Sequence, residues 1–164
     1  MKVFYPGSFD PIHKGHLSII KRCLYLFDEI VIGIGINKDK KSFISTKERK
    51  KLINKTMSLA FPDTALSKIK VISYNELTAE VAVELRCNFI VRGIRDSIDL
   101  KDELISADIN ELISGIETIF LPRTPSHAYI SSSVIRELYK IGREGIMQDI
   151  VSKPVYDYLK KKPI

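Results

Sequence analysis

Residues Glu29–Ile36 read EIVIGIGI. The run is β-branched, punctuated by glycine and apolar at successive positions, so it predicts a strand covered on both faces, as in a parallel sheet. Further β-rich runs lie at Lys2–Tyr5, Ile69–Ser73, Phe89–Val91 and Thr118–Leu121. Helical patterns separate them. Gly15–Phe27 carries Leu17, Ile20, Leu24 and Phe27 at helical spacing. Ser45-Thr-Lys-Glu48 is a capping box opening a helix that runs to about Ala60. Leu77–Arg86 places Val81 and Leu85 on one face, and Asp99–Ser114 and Ser131–Tyr139 follow. Pro154 reads as the first residue of a last short helix. Five strands separated by helices predict an α/β fold, a doubly wound five-stranded parallel sheet with helices on both faces and a C-terminal helical segment. Right-handed crossovers then restrict the winding, and order 3-2-1-4-5 puts strands one and four side by side.

Nothing divides the chain, so residues 1–164 are expected to form one domain. Apolar residues make up 45% and charged residues 28%, an ordinary soluble composition. The formal charge of +6 favours anionic partners. Cys23 and Cys87 form no C-x-x-C pair and no zinc spacing, which points to a reducing compartment and away from a metal cage. The start KVFYPGS has no apolar signal region, and the longest apolar run is too short to span a bilayer. A cytoplasmic protein is the expectation, with no membrane and no nucleic-acid partner, since aromatic platforms beside basic residues are lacking. Cys23, Tyr25, Phe27, Phe61 and Phe120 read as core, and the run Lys160–Lys162 as solvated.

The unusual residues fall at the carboxyl ends of strands one, four and five, where open parallel sheets bind ligands. PGSFDPIHKGH follows strand one. Its glycines let backbone approach a ligand, and the helix beginning near Gly15 points free N–H groups at the same place. His13 and His16 share one side of that entrance. A turn with a capping histidine accounts for one of them; two around a glycine fit a phosphate site better. Lys40 and Lys41 follow strand two, where a solvated loop and a mobile phosphate clamp are equally consistent readings. Arg92-Gly-Ile-Arg95 sets two guanidiniums at the end of strand four, suited to phosphate, with Asp96 and Asp99 as alternative partners. Ser131, Ser132 and Ser133 open a helix, either as a cap or as an anion site.

Together these motifs resemble a known family. HKGH is similar to the H-x-G-H signature of the nucleotidyltransferase superfamily, and ISSSVIR to its serine-rich second signature. YPGSFDPIHKGH, RGIRDSIDLKDE and YISSS, in this order, resemble the bacterial phosphopantetheine adenylyltransferases over nearly the whole chain. The resemblance implies a Rossmann-like fold and adenylyl transfer from ATP to 4′-phosphopantetheine, giving dephospho-coenzyme A and pyrophosphate. It implies Mg²⁺ bound mainly through ATP with no protein metal ligands, a homohexamer, and dephospho-coenzyme A and coenzyme A as product or feedback ligands. Carried over by motif, His16, Lys40 and Arg92 are catalytic. Ser8, Phe9, His16, Gly93, Ile94, Arg95, Glu103 and the segment His127, Ala128, Tyr129, Ile130, Ser131, Ser132 and Ser133 bind ATP. Ser8, Lys40, Thr78 and Arg92 meet phosphopantetheine. Ser8 and His13 stand where threonine is common in that family, and His127 and Ala128 replace an aromatic residue and a serine. The attacking phosphate is already anionic, so the reaction needs in-line positioning and charge stabilisation rather than a general base.

Overall fold

The computed structural model describes residues 1–37, 39, 41–124, 127 and 129–162. Its five strands are β1 (Lys2–Gly7), β2 (Glu29–Gly35), β3 (Ile69–Tyr74), β4 (Phe89–Ile94) and β5 (Thr118–Pro122). They pair in parallel in the order β3-β2-β1-β4-β5. The helices among the described residues are α1 (Lys14–Leu26), α2 (Thr46–Ala60), α3 (Asp63–Leu66), α4 (Thr78–Glu84), α5 (Ser97–Ser114), α6 (Ser132–Lys140), α7 (Glu144–Ile150) and α8 (Lys153–Lys161). The predicted sheet and order hold.

Alternation along the central strands assigns side chains to the two faces. Val3, Tyr5, Ile30, Ile32, Ile34 and Val91 join one core with α1, α2, α6, α7 and α8. Phe4, Val31 and Ile90 join a second core with α4, Cys87 and Ile116. Strand β2 is therefore buried on both faces, as its unbroken apolar run requires. Strands β1 and β4 meet only at Val3–Phe89 and Phe4–Ile90, whereas β1 pairs with β2 along its whole length. Beyond Phe4 the two central strands part, and the crevice opens where strand order reverses.

Several expectations need correcting. Strand β1 continues through Pro6 and Gly7 because β2 offers partners at Gly33 and Ile34. Strand β4 continues through Arg92, Gly93 and Ile94, paired with Phe120, Leu121 and Pro122, so much of the arginine motif is strand rather than loop. Helix α5 starts at Ser97, since the Asp96 carboxylate accepts from Ile98 and Asp99 N–H at 2.9 Å. Helices α3 and α7 were not expected; both are short, and the chain turns ahead of α7 at Gly142, whose φ is +68°. Pro154 is the second residue of α8, not the first. The buried stripe of α1 is Gly15, Ile19, Ile20 and Cys23, with Leu17, Leu24 and Phe27 packed at its margin. Tyr25 lies on the far side of that helix, 80% exposed, and is not core. Lys162 is half-buried, its ammonium 5.3 Å from the Phe43 ring centroid.

Candidate active site

The turn between β1 and α1 forms the floor of the crevice. Phe9 holds a left-handed backbone, φ 46°, a conformation a bulky residue adopts only when packing enforces it. Its ring is buried, 5.5 Å from Tyr5 and 4.8 Å from His16 between centroids. A Cβ on Gly7 would stand 3.0 Å from that ring, so glycine there admits it. Four distant groups pin the turn. Arg49 Nη1 donates to the Ser8 carbonyl at 2.6 Å, and Arg136 Nη1 to the Asp10 carbonyl at 2.8 Å. Ser132 Oγ donates to the Pro11 carbonyl at 3.0 Å. The buried Asp10 carboxylate accepts from Phe43 and Ile44 N–H, both at 2.8 Å. Ser8 is exposed at the crest.

His13 and His16 cap α1 reciprocally. The His13 N–H donates to His16 Nδ1 at 3.2 Å, and the His16 N–H donates to His13 Nδ1 at 3.4 Å. The rings stack with centroids 3.7 Å apart. Each Nδ1 is an acceptor, which assigns the proton of each neutral ring to Nε2. Burial, then the Arg123 charge, lowers the His13 pKa to about 3. Burial, then His13, Arg123 and Arg92, holds His16 well below the ordinary imidazole range. Both rings are neutral at pH 7, with Nε2–H as their free donor. Capping explains His13; it does not exhaust His16, whose Nε2–H has no recorded partner among the described residues.

At the end of β4, Glu103 on α5 accepts from Arg92 Nε at 2.6 Å and Nη2 at 2.5 Å, while Arg92 Nη1 donates to the Pro6 carbonyl at 2.8 Å. Burial works against the Arg92 charge, but the bound Glu103 carboxylate outweighs it and raises the guanidinium's pKa. Arg95 pairs with Asp99 through two bonds of 2.5 Å. The alternative of acid partners for both arginines is thus realised, with Glu103 taking Arg92. Arg92 and Glu103 line a cavity of about 280 Å³ together with Thr78, Leu77, Asn110 and Thr118. Glu103 therefore stands with Arg92 and Thr78 rather than with Arg95. A cleft of about 850 Å³ lies on the other side of the turn, lined by Ser8, Asp10, Lys41, Arg49 and Arg136, among others.

After β5 the chain folds over the start of α1. Ser18 Oγ and Thr124 Oγ1 lie 3.4 Å apart, and Thr124 Oγ1 bonds His127 Nδ1 at 2.9 Å. Ile130 is fully buried and Tyr129 is 66% exposed. Ser131 accepts from Val134 N–H at 3.2 Å and caps α6; Ser132 binds the opening turn, and Ser133 accepts from Arg136 Nη2 at 3.0 Å. All three serines thus have structural work. The structure gathers Ser8, Phe9, His16, Arg92, Gly93, Ile94, Arg95 and the serine helix on one carboxyl edge of the sheet. Lys40 and Ala128 lie outside the described residues. Asp10, Arg49 and Arg136 were not singled out. Arg49 offered one signal, a charge on the face of α2 that also carries the buried Leu52, Ile53 and Thr56. Among the described residues no three His, Cys, Asp or Glu side chains gather where they could hold a metal ion.

A cytidylyltransferase-like family model matches residues 4–138. The chain is 45% identical over 143 residues to the phosphopantetheine adenylyltransferase of Flavobacterium johnsoniae, covering 87% of this chain and 90% of that one. It is 34% identical over 161 residues to the Haemophilus influenzae enzyme of the same name, covering 98% of each. Among solved structures it superposes on Plasmodium falciparum nicotinic acid mononucleotide adenylyltransferase complexed with NaAD, with TM-score 0.71 and 18% identity over 98% of this chain and 94% of that chain. That last likeness speaks for the fold alone.

Proposed function

This chain belongs to the cytidylyltransferase-like family and, within it, to the phosphopantetheine adenylyltransferases, and from that membership we propose that it joins ATP and 4′-phosphopantetheine into dephospho-coenzyme A and pyrophosphate by direct in-line attack. The attacking oxygen belongs to the phosphopantetheine phosphate. It forms a bond to the ATP α-phosphorus as the bond to the β-phosphate bridging oxygen breaks, and the electron pair leaves with pyrophosphate. No side chain needs to remove a proton. The task left to the protein is to hold both phosphates in line and to stabilise charge on the α-phosphate and the leaving group.

The reciprocal cap at the start of α1 carries this reading. A neutral His16 with its proton on Nε2 can donate to the α-phosphate at any pH near 7, and its ring is fixed before the substrates arrive. The free N–H groups at the starts of α1 and α6 supply further positive potential. Lys40 and Arg92 would hold the phosphate of phosphopantetheine, with Thr78 beside Arg92 in the 280 Å³ cavity for the pantetheine arm. Ser8, Phe9, Gly93, Ile94, Arg95 and the 127–133 segment would bind ATP, with Glu103 setting Arg92 across the boundary between the two substrates. Mg²⁺ would travel on the ATP oxygens, neutralising phosphate charge there.

The same reading takes residues 1–164 as one domain working in the cytoplasm; no helix among the described residues is long and apolar enough to cross a membrane. It also takes the enzyme as a homohexamer. Helix α5 has no buried residue and exposes Ile98, Leu104, Ile105, Ile109, Leu112 and Ile113, a face suited to another copy. Coenzyme A and dephospho-coenzyme A would compete at the same site. The test supplies ATP and Mg²⁺ with phosphopantetheine, nicotinamide mononucleotide or glycerol phosphate in turn and measures pyrophosphate. Release with phosphopantetheine alone is expected. Release with a different acceptor, or with none, would overturn the assignment.

A further inference from the structure

Arg123 is the first residue after β5; it opens the Pro122–Ser133 stretch, but neither the H-x-G-H, the R-G-I-R nor the serine-rich signature includes it. Its N–H donates to the Ile94 carbonyl at 2.8 Å, extending the β4–β5 pairing by one residue. Its Nη1 donates to the Ile130 carbonyl at 2.6 Å, just ahead of the serine helix. The guanidinium lies between two motif glycines. A Cβ built on Gly15 would stand 3.7 Å from its Nη1, and one built on Gly93 would stand 3.9 Å from its Nε. Those glycines belong to the H-x-G-H turn and to the R-G-I-R strand, so Arg123 sits in the crevice where β1 and β4 part.

Three arginines occupy this edge, and two are neutralised. Glu103 clamps Arg92 and Asp99 clamps Arg95, each through two bonds. Arg123 has no carboxylate within ion-pairing distance among the described residues. Its Nε is buried without any hydrogen-bond partner. An unpaired, partly desolvated cation with an orphaned donor is costly, and structures keep one where something else completes it. Burial also lowers the Arg123 pKa, as expected for a charge lacking a counterion. Its field reaches both His13 and His16, which places the charge close to the capped rings.

We propose that Arg123 is a nucleotide-phosphate ligand of this enzyme, the third cation of the crevice, which the bound ATP neutralises in place of an acidic side chain. Phosphate is the matching chemistry, since its oxygens take the planar guanidinium donors in pairs and supply the missing negative charge. The inference rests on ATP being the nucleotide of this site. It adds a residue that the H-x-G-H and serine-rich signatures do not contain.

Titration calorimetry on the full chain, wild type against Arg123→Met and Arg123→Lys, tests it with ATP and with adenosine. Loss of a charged hydrogen bond weakens ATP binding by about 10- to 100-fold in Arg123→Met. Arg123→Lys recovers part of that loss by restoring the charge. Adenosine binding and the KM for phosphopantetheine stay within about twofold of wild type in both variants. Unchanged ATP affinity in Arg123→Met overturns the proposal. So does an equal loss for adenosine, or a loss that Lys does not relieve and that follows thermal stability, because a structural strut would give those results. Binding is measured without phosphopantetheine, so a wild type that binds ATP but transfers nothing would sink the adenylyl-transfer assignment and leave this one standing.

Discussion

At the scale of single residues, His16 and His13 divide the work of one cap. Each imidazole spends its Nδ1 on the other's backbone N–H, and burial keeps both neutral. His16→Ala removes the proposed donor to the α-phosphate while leaving the remaining ATP contacts in place. We expect kcat to fall by about 10²–10³-fold, with the KM for ATP changed far less, in steady-state pyrophosphate-release assays. A raised KM at unchanged kcat would return His16 to a purely structural role. His16, Arg92 and the serines were legible because their residue types are unusual at their places in the pattern. Asp10 and Arg49 were not. Their partners are backbone groups of segments about 33 to 41 residues away in sequence, and no spacing rule connects them. Arg49 is further masked by Lys47, Lys50 and Lys51 around it. Tyr25 misled in the other direction: an aromatic residue within an apolar helix reads as core, yet the helix turns it outward.

At the scale of elements, the cap ties the pH response of α1 to that of the fold. The folded chain refuses a proton at His13 until about pH 3, whereas the unfolded chain accepts it near 6.5. Between those values the unfolded state binds more protons, so stability is complete above about 6.5 and is lost as pH falls. In His13→Asn the cap acceptor remains and the titrating group is gone. Its unfolding midpoint should fall less steeply between pH 6.5 and 4 than that of the wild type, as followed by circular dichroism, while the two agree in shape above pH 7. The longer elements were readable from periodicity, and the errors were at their ends and in two short helices. Strand β4 runs past Val91 because β5 supplies partners up to Pro122, information that resides in another segment. Helix α5 begins two residues early because Asp96 caps it. Helix α3 buries no residue, and the seven residues of α7 are too few to set a period although Met147 and Ile150 are buried.

At the scale of the molecule, the outward face of α5 predicts association. Leu112 is 88% exposed on a helix that has no buried residue. Leu112→Lys should leave the monomer folded and shift the sedimentation profile towards smaller species, because a charge in the centre of an apolar contact is costly to bury. An unchanged profile would place the contact surface elsewhere. The doubly wound order was legible because β2 demands cover on both sides and because all three motifs fall on one edge. The parting of β1 from β4 after Phe4 was not, since register is a property of the pair. That parting has a consequence for how the molecule breathes. The sheet is two ribbons, β3-β2-β1 and β4-β5, joined only near the amino ends of the central strands. The edge of β1 that faces β4 beyond Phe4 is therefore the least stitched line of the sheet, and in the proposed function a nucleotide bridging the two ribbons would replace the missing ladder with its own contacts. Substrate would act there as a temporary rung, and the protein would close its own seam only while it is at work.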